Sequence, residues 1–468
     1  REQLIKGFAG GEVPTSPGEG LRTELDVHRV FAQAADRFCH RLVEAAHQSD
    51  EFVDYAVGAA LARPNAKREG NRDVPLTFLG GSTLTVRTPY VLARKRGGGG
   101  YRQTYRGKEG NGSYPVLRQV GFLSRTSPGL ISEVGKLVAS TSIEEAQMDL
   151  ERRGIDVDFK TVRSLALRLA GQGVEARDAL LRSALEHPPG ESSVRGLRLV
   201  ISTDGGKVKV RVGGKRGRRN QKTGRRRYRT KWVEPRVLVV HVIDEKGKKV
   251  PHEVGVLDAS IADCDAVFRM LLAYLKLLGA HEAAQIVIVA DGAKWIWEGG
   301  RIDELVRKVG ISPDRVVQVL DFYHATEHLG KIAKLRASWS DKERQSWIRR
   351  VRTMLWRGKI DAVLVECRTL CCGRRSKAIT ALLDYIERNR SRMNYPLYRQ
   401  LRVPLGSGVI ESAVRRVINL RLKGPTRGPG ASPVVPPRSS RWGLSSVVAC
   451  VVRQAVQYYS LRGPLHLL

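Results

Sequence analysis

Two apolar runs organise the middle of this sequence, LRLVISTD at residues 197–204 and QIVIVADG at 285–292, and each closes on an aspartate followed by glycine. Such runs, rich in Val and Ile and not alternating with polar residues, read as central strands of a sheet. The pattern around them agrees. LRLVISTD, GKVKVRV (206–212) and EPRVLVVHVID (234–244) read as three consecutive strands, the first and third apolar enough to be central and the second more exposed. A helix follows over 260–279, then QIVIVADG, a helix over 301–309 and the strand RVVQVLD. Three strands, helix, strand, helix, strand is the element order of an α/β domain.

Upstream, residues 21–62 carry apolar positions at three- and four-residue steps and read as one or two amphipathic helices that pack or dimerise. A small hairpin is expected over 76–92, followed by a Gly-rich loop over 97–113. From Ser127 onward three short helical patterns follow one another with tight connections, which is helix-turn-helix spacing. Ser142 with Glu145 forms a capping box, Gly154 supplies a left-handed turn residue, and a recognition helix over 158–171 offers Lys160, Arg163 and Arg168 to DNA. A plain three-helix bundle is the alternative.

The chain has 468 residues and a formal net charge of +34, which a polyanion would neutralise, so nucleic acid is the expected partner. Fourteen lysines and arginines and a single acid, Glu234, lie between 207 and 236. Lys215, Arg216, Arg218, Arg219, Arg225, Arg226, Arg227 and Arg229 make up the dense part, with Tyr228 and Trp232 beside them as stacking faces. This suggests a hairpin laid on a phosphate backbone; a solvated basic loop is the alternative. No apolar stretch is long enough to span a membrane and no leader-like start is present, so a cytoplasmic protein is expected. The six cysteines are scattered as reduced thiols. Cys367, Cys371 and Cys372 lack a second pair at zinc spacing, and neither a nucleotide-binding glycine loop nor an RNA-binding motif occurs.

Residues 331–405 read as a helical insertion, LGSGVIESAVRRVINLRLKG as a Gly-Ser-Gly turn leading into a helix, and the Pro/Gly/Ser-rich stretch after Gly424 as disordered or extended. The expected division is 1–125, a helical and small β region; 126–195, the DNA-binding helices; 196–330, the first part of the core; 331–405, the insertion; 406–424, a core helix; and 425–468, linker and tail.

Asp204 and Asp291 end two apolar strands and Glu411 lies in the first turn of the helix after Gly-Ser-Gly. Singly, each is accounted for as a turn cap or a first-turn acid. Together on neighbouring strand ends and a helix packed across them they would converge, and mutual repulsion would demand cations. Two magnesium ions about 3.5 to 4 Å apart, with manganese able to substitute, would meet that demand and suit in-line attack on a phosphodiester. Asp204 would bridge both ions, and Asp291 and Glu411 would each complete one.

The segments STDGGKV, VADGAKWIW, VLDFYHATEHL and PLGSGVIESAVRRVINLRLKG, in that order, resemble the DDE transposases of bacterial insertion sequences, most nearly the Kra-type group, over residues 125–424. The resemblance implies a ribonuclease H-like catalytic core with a helical insertion, an N-terminal all-α helix-turn-helix DNA-binding region, and an acidic triad at Asp204, Asp291 and Glu411. It also implies binding of double-stranded DNA at terminal inverted repeats, cleavage and strand transfer, a nucleoid-associated location, and at least a dimer on DNA. Asp321 and His324 resemble the Asp-x-x-His pair of related Mutator-like transposases, placing His324 near the scissile phosphate; a structural histidine is the alternative. Trp295 and Trp297 are expected to pack in the core in preference to stacking on a frayed base. The sequence departs from the family where PTRGPGASPVVPPRSS replaces a Trp-containing helical end. Two other readings remain: an endonuclease of the same fold without strand transfer, and a catalytically silent DNA-binding derivative.

Overall fold

A computed structural model of the protein describes residues 16–63, 66–93, 112–123, 125–212, 221, 229–251, 253, 255–336, 338–370, 376–415 and 418. They fall into two compact units that divide after Ala170. In the first unit, α1 (Pro17–Gln48) and α2 (Asp50–Leu61) precede a long hairpin of β1 (Ala66–Thr77) and β2 (Thr83–Ala93), to which the short β3 (Gly112–Ser113) adds. The hairpin begins ten residues before the expected start, because the strongly polar KREGNRD half of β1 carries no apolar alternation and is held by pairing with β2. Val74, Leu76 and Val86 bury with Val43 of α1 and Leu117 of α3 (Pro115–Gln119). Asp36 of α1 accepts the backbone N–H groups of Gly80 and Ser82, which pins the hairpin turn to the helix.

Three helices then follow, α4 (Pro128–Ser140), α5 (Ile143–Arg152) and α6 (Phe159–Glu186). The Ser142–Glu145 capping box is formed in both directions, and Gly154 adopts a φ of 76°. Asp158 receives the Thr161 N–H at 2.9 Å and opens α6. That helix does not stop near 171 as the glycines Gly171 and Gly173 suggest. They cost it about 1 kcal/mol each relative to alanine, and the helix continues because Leu181 and Leu185 bury against the core of the second unit.

The second unit is built on a five-stranded mixed sheet. Its strands are β4 (Arg198–Gly205), β7 (Arg236–Ile243), β8 (Gly255–Ser260), β9 (Gln285–Ala290) and β10 (Val316–Leu320), in the order β10-β9-β4-β7-β8. The inner β9–β4 and the β10–β9 pairs are parallel, and β4–β7 and β7–β8 are antiparallel. The fold is mixed α/β, but its membership corrects one expectation. GKVKVRV forms β5 (Val208–Val212), which pairs with β6 (Arg229–Val233) in a separate two-stranded ribbon, while β8 supplies the third strand of the sheet. The physical reason is visible in the residues: valines alternating with Lys and Arg give β5 one apolar face only, unfit for a strand covered on both sides.

One face of the sheet, with Leu199, Ile201, Leu238, Val240, Ile286 and Ile288, is covered by α7 (Cys264–Leu278) and α9 (Arg301–Val309), with the single turn α8 (Lys294–Trp297) beside them. The other face carries the helical insertion: α10 (Phe322–Leu335), α11 (Asp341–Trp356), α12 (Ile360–Arg368), α13 (Ser376–Asn389) and α14 (Tyr395–Gln400), which pack on Val200, Val287, Val289 and Val319. Next to it α15 (Gly408–Val414) sets Ile410 and Ala413 on Val237, Val239 and Ala259. No helix among the described residues is long and apolar enough to cross a membrane.

Candidate active site

The sheet register brings three aspartates into a row. Ile201 stands opposite Ile288, and three residues further along each parallel strand lie Asp204 and Asp291; Ala290 stands opposite Leu320, and the next residues are Asp291 and Asp321. The Asp321 N–H donates to the Ala290 carbonyl at 2.9 Å, extending that pairing to the strand end. Three neighbouring strands thus open a carboxylate edge at their C-terminal ends, the usual place for sites in open α/β sheets.

The first two of these side chains are part-exposed and electrostatically loaded. Burial first, then the neighbouring Asp291 charge, and more weakly Glu411, push the Asp204 carboxyl up to about 6, against the Gly205 N–H, which donates to it at 2.6 Å. Asp291 is also raised, chiefly by burial and by the charges of Asp321 and Glu234, while His324 works in the opposite direction on both aspartates. Its carboxylate accepts the Ala293 N–H at 3.1 Å. Glu411 lies exposed in the first turn of α15.

Asp321 is different in kind. It is 0% exposed and already saturated: Oδ1 accepts the N–H groups of Tyr323 and His324 at 2.7 and 2.9 Å, and Oδ2 accepts the Ser407 N–H at 2.7 Å together with the Ser407 hydroxyl. It caps α10 and at the same time holds the Gly-Ser-Gly turn from which α15 and Glu411 start. His324 is placed by that cap, one turn from His328, with Nε2 atoms 3.2 Å apart.

The donor chemistry suits a hard divalent cation: all three proposed ligands are carboxylates, and the Asp204–Asp291 pair carries a repulsion that a cation would relieve. As the side chains stand, no group of three or more His, Cys, Asp or Glu among the described residues is close enough to hold a metal ion. Asp204 and Asp291 provide the adjoining pair, and Glu411 stands further off on its helix.

The remaining expected residues distribute as follows. Trp295 and Trp297 pack against the core, and the Trp297 indole N–H donates to the Asp291 carbonyl. Lys160 and Arg168 are exposed on α6 and Arg163 is half-buried there, all three in the first unit. Arg229 begins β6 opposite Val212, and Trp232 on the same strand is 63% exposed. Lys215, Arg216, Arg218, Arg219, Arg225, Arg226 and Arg227 lie outside the described residues, as do Cys371, Cys372 and the segment 425–468. Cys367 is buried, and burial pushes its thiol up to about 12, as befits an inert core residue.

Two neighbours of the carboxylate edge escaped the sequence. Glu234, read only as the single acid in a basic block, lies against Gly205 and bears on the Asp291 charge. Tyr385 of α13, legible in the sequence only as part of an apolar helix face from Ile379 to Tyr385, covers Gly292: a Cβ at 292 would fall 2.1 Å from the ring carbon Cε2. The Asp-Gly pairing at 291–292 was the available signal, since a glycine beside a candidate ligand implies close approach by something.

No protein-family model matches the sequence, and no curated protein matches it. Among solved structures, the chain is similar to one described as the Drosophila P element transposase strand transfer complex, at 12% identity and a TM-score of 0.24, over 70% of this chain and 80% of that one.

Proposed function

We propose that this protein is a metal-dependent DNA-cleaving and strand-transferring enzyme, a transposase of the DDE type with a ribonuclease H-like core. The observation that carries the proposal is the adjacency of Asp204 and Asp291 at the ends of neighbouring parallel strands, with the helix bearing Glu411 packed across the same sheet. The strand order β10-β9-β4-β7-β8 supports it, because it makes the two acid-bearing strands neighbours. The net charge of +34 supports a polyanionic substrate.

In this reading Asp204 and Asp291, side by side on neighbouring strands, with Glu411 as the third carboxylate, would hold magnesium, whose chemistry there would be to activate a water or 3′-hydroxyl and to stabilise the leaving oxygen. His324, held at the N-terminus of α10 by Asp321, faces the carboxylates and meets the phosphate or the flanking strand. Asp321 is kept out of the reacting group by its four hydrogen bonds and fixes the starting point of α15. The exposed Lys160 and Arg168 of α6, with Arg163, read DNA as the last helix of a helix-turn-helix, and the β5–β6 ribbon with its basic connection tracks the phosphate backbone. Pairing of two DNA ends implies a dimer or higher assembly on DNA, in a cytoplasmic, nucleoid-associated setting.

The test is incubation of the purified protein with a supercoiled plasmid carrying candidate element ends, in Mg2+ or EDTA, beside Asp204→Ala. Nicked and joined products that need both Mg2+ and Asp204 are expected. Cleavage without joining would identify an endonuclease instead, and DNA bound but uncut by the wild type would sink the enzymatic reading.

A further inference from the structure

The long helix α1 has two faces that avoid water, and its own unit covers one of them. Asp36, His40 and Val43, at steps of four and three, lie toward the hairpin: Val43 buries with Val74, Leu76 and Val86, the His40 ring meets Phe78 at 4.4 Å, and Asp36 holds the hairpin turn. The second face runs through Phe31, Ala35, Phe38, Leu42 and Ala45, at steps of four, three, four and three. At 3.6 residues per turn it is centred roughly 150° around the helix from the first. All five residues are exposed, with Phe31, Phe38 and Leu42 left 58%, 77% and 72% in water. Single exposed apolar side chains are ordinary. A row of them at alternating three- and four-residue steps is the pattern by which one helix packs along another.

The row is also complementary to itself. The charged residues of 27–46, Arg29, Asp36, Arg37, Arg41 and Glu44, all lie off it, so a second copy meets no like charge there. Phe38 stands at its centre, with large and small residues placed unevenly to either side. Two copies laid antiparallel about a two-fold axis at Phe38 set Phe31 against Ala45 of the other copy, and Leu42 against its Ala34 and Ala35, large against small. Parallel copies would instead set Phe31 on Phe31 and leave gaps at the alanines. The size suffices as well. At roughly 200 Å² for a fully exposed aromatic side chain and a little less for leucine, the three large residues leave on the order of 400 Å² in water on each copy. With the alanines added, two copies together pass the roughly 1,000 Å² that a specific interface needs.

We propose that this second face of α1 is a dimer interface, at which two copies of the chain pair antiparallel about Phe38 without DNA. The pairing does not rest on the function proposed above, since the face is apolar and belongs to the first unit, whereas the carboxylates belong to the second.

The test is the mass of the full chain by light scattering on a sizing column, at micromolar concentration and in high salt, which strips nucleic acid from so basic a protein. The wild type is expected to have the mass of two chains. Phe38→Glu sets two carboxylates face to face at the axis and is expected to raise the dissociation constant about 30-fold or more, as for residues at the centre of an interface, giving the mass of one chain; Leu42→Glu is expected to act the same way. An equimolar mixture of Phe38→Glu and Phe38→Lys is expected to recover the two-chain mass, which also shows that both variants are folded. Phe31→Glu combined with Ala45→Lys is expected to pair more tightly than Phe31→Glu alone, because antiparallel copies place each glutamate against a lysine; looser pairing overturns the antiparallel register. A one-chain wild type overturns the proposal, and so does Phe38→Glu pairing with wild-type affinity, which would put the interface elsewhere. A protein that pairs in this way and cuts no DNA leaves the dimer standing and the function proposed above refuted.

Discussion

Asp204 and Asp291 on one side, and Asp321 on the other, occupy equivalent places at the ends of three neighbouring strands, yet they are opposite in character. Asp321 is fully buried, and four hydrogen bonds from two segments of backbone and a hydroxyl fill both of its oxygens. Asp204 is less buried and poorly satisfied, with a single short N–H donor and a carboxylate beside it. A carboxylate whose oxygens the fold has filled with hydrogen bonds is part of the scaffold. One set beside a second carboxylate with few donors of its own has a raised pKa and is a functional-site candidate.

The contrast predicts opposite responses to the same kind of substitution. The largest effect is expected for Asp321→Ala, which strands buried donors in α10 and in the 406–408 turn; the loss should exceed about 3 kcal/mol in urea denaturation, given roughly 1–3 kcal/mol for each buried group left unpaired. A loss under 1 kcal/mol would erase the distinction. Gly292→Ala should cost about 1–3 kcal/mol as an overpacking change, because the Tyr385 ring is itself buried and has nowhere to move. Thermal melting of the two proteins side by side reads it.

Asp204→Asn should go the other way. A carboxyl raised to about 6 in the fold is ionised at a cost above that pH, and the cost is absent below the unfolded value of about 3.9. Removing the charge is therefore expected to stabilise the protein in EDTA by about 1–2 kcal/mol at pH 8, with the gain fading as pH falls through 6 toward 4. A gain that persists at pH 4 would assign it to something other than the charge. Glu411→Gln is the smallest in stability, within about 0.5 kcal/mol as for other exposed sites, while cleavage should be abolished and DNA affinity retained. Full cleavage by that variant would remove Glu411 from the ligand set.

Much of this arrangement was legible in the residues. Apolar runs ending in Asp-Gly located β4 and β9, and the capping box and Gly154 located the start and end of α5. These are local signals, read from one short window each. The errors have a common cause. The pattern of β5 does not reveal its sheet because a strand's partner is chosen across the chain, and the edge strand β8 is weakly signalled because GVLDAS has little Val and Ile. Helix α6 overran its glycines because burial of Leu181 and Leu185 outweighs two unfavourable propensities.

What the sequence determined by itself was therefore most of the core strands and helices, the three acids worth following and the basic character of the chain, since each depends on periodicity, spacing or composition. What only the tertiary structure decided was their relation. The register of β4, β9 and β10 set three aspartates side by side. The Ser407 turn folding back onto Asp321 separated the scaffold acid from the strained pair, and α13 brought Tyr385 more than ninety residues along the chain to rest on Gly292 and His328. Solvation and neighbouring charge decide what a carboxylate can do, and both are properties of the surroundings that folding assembles.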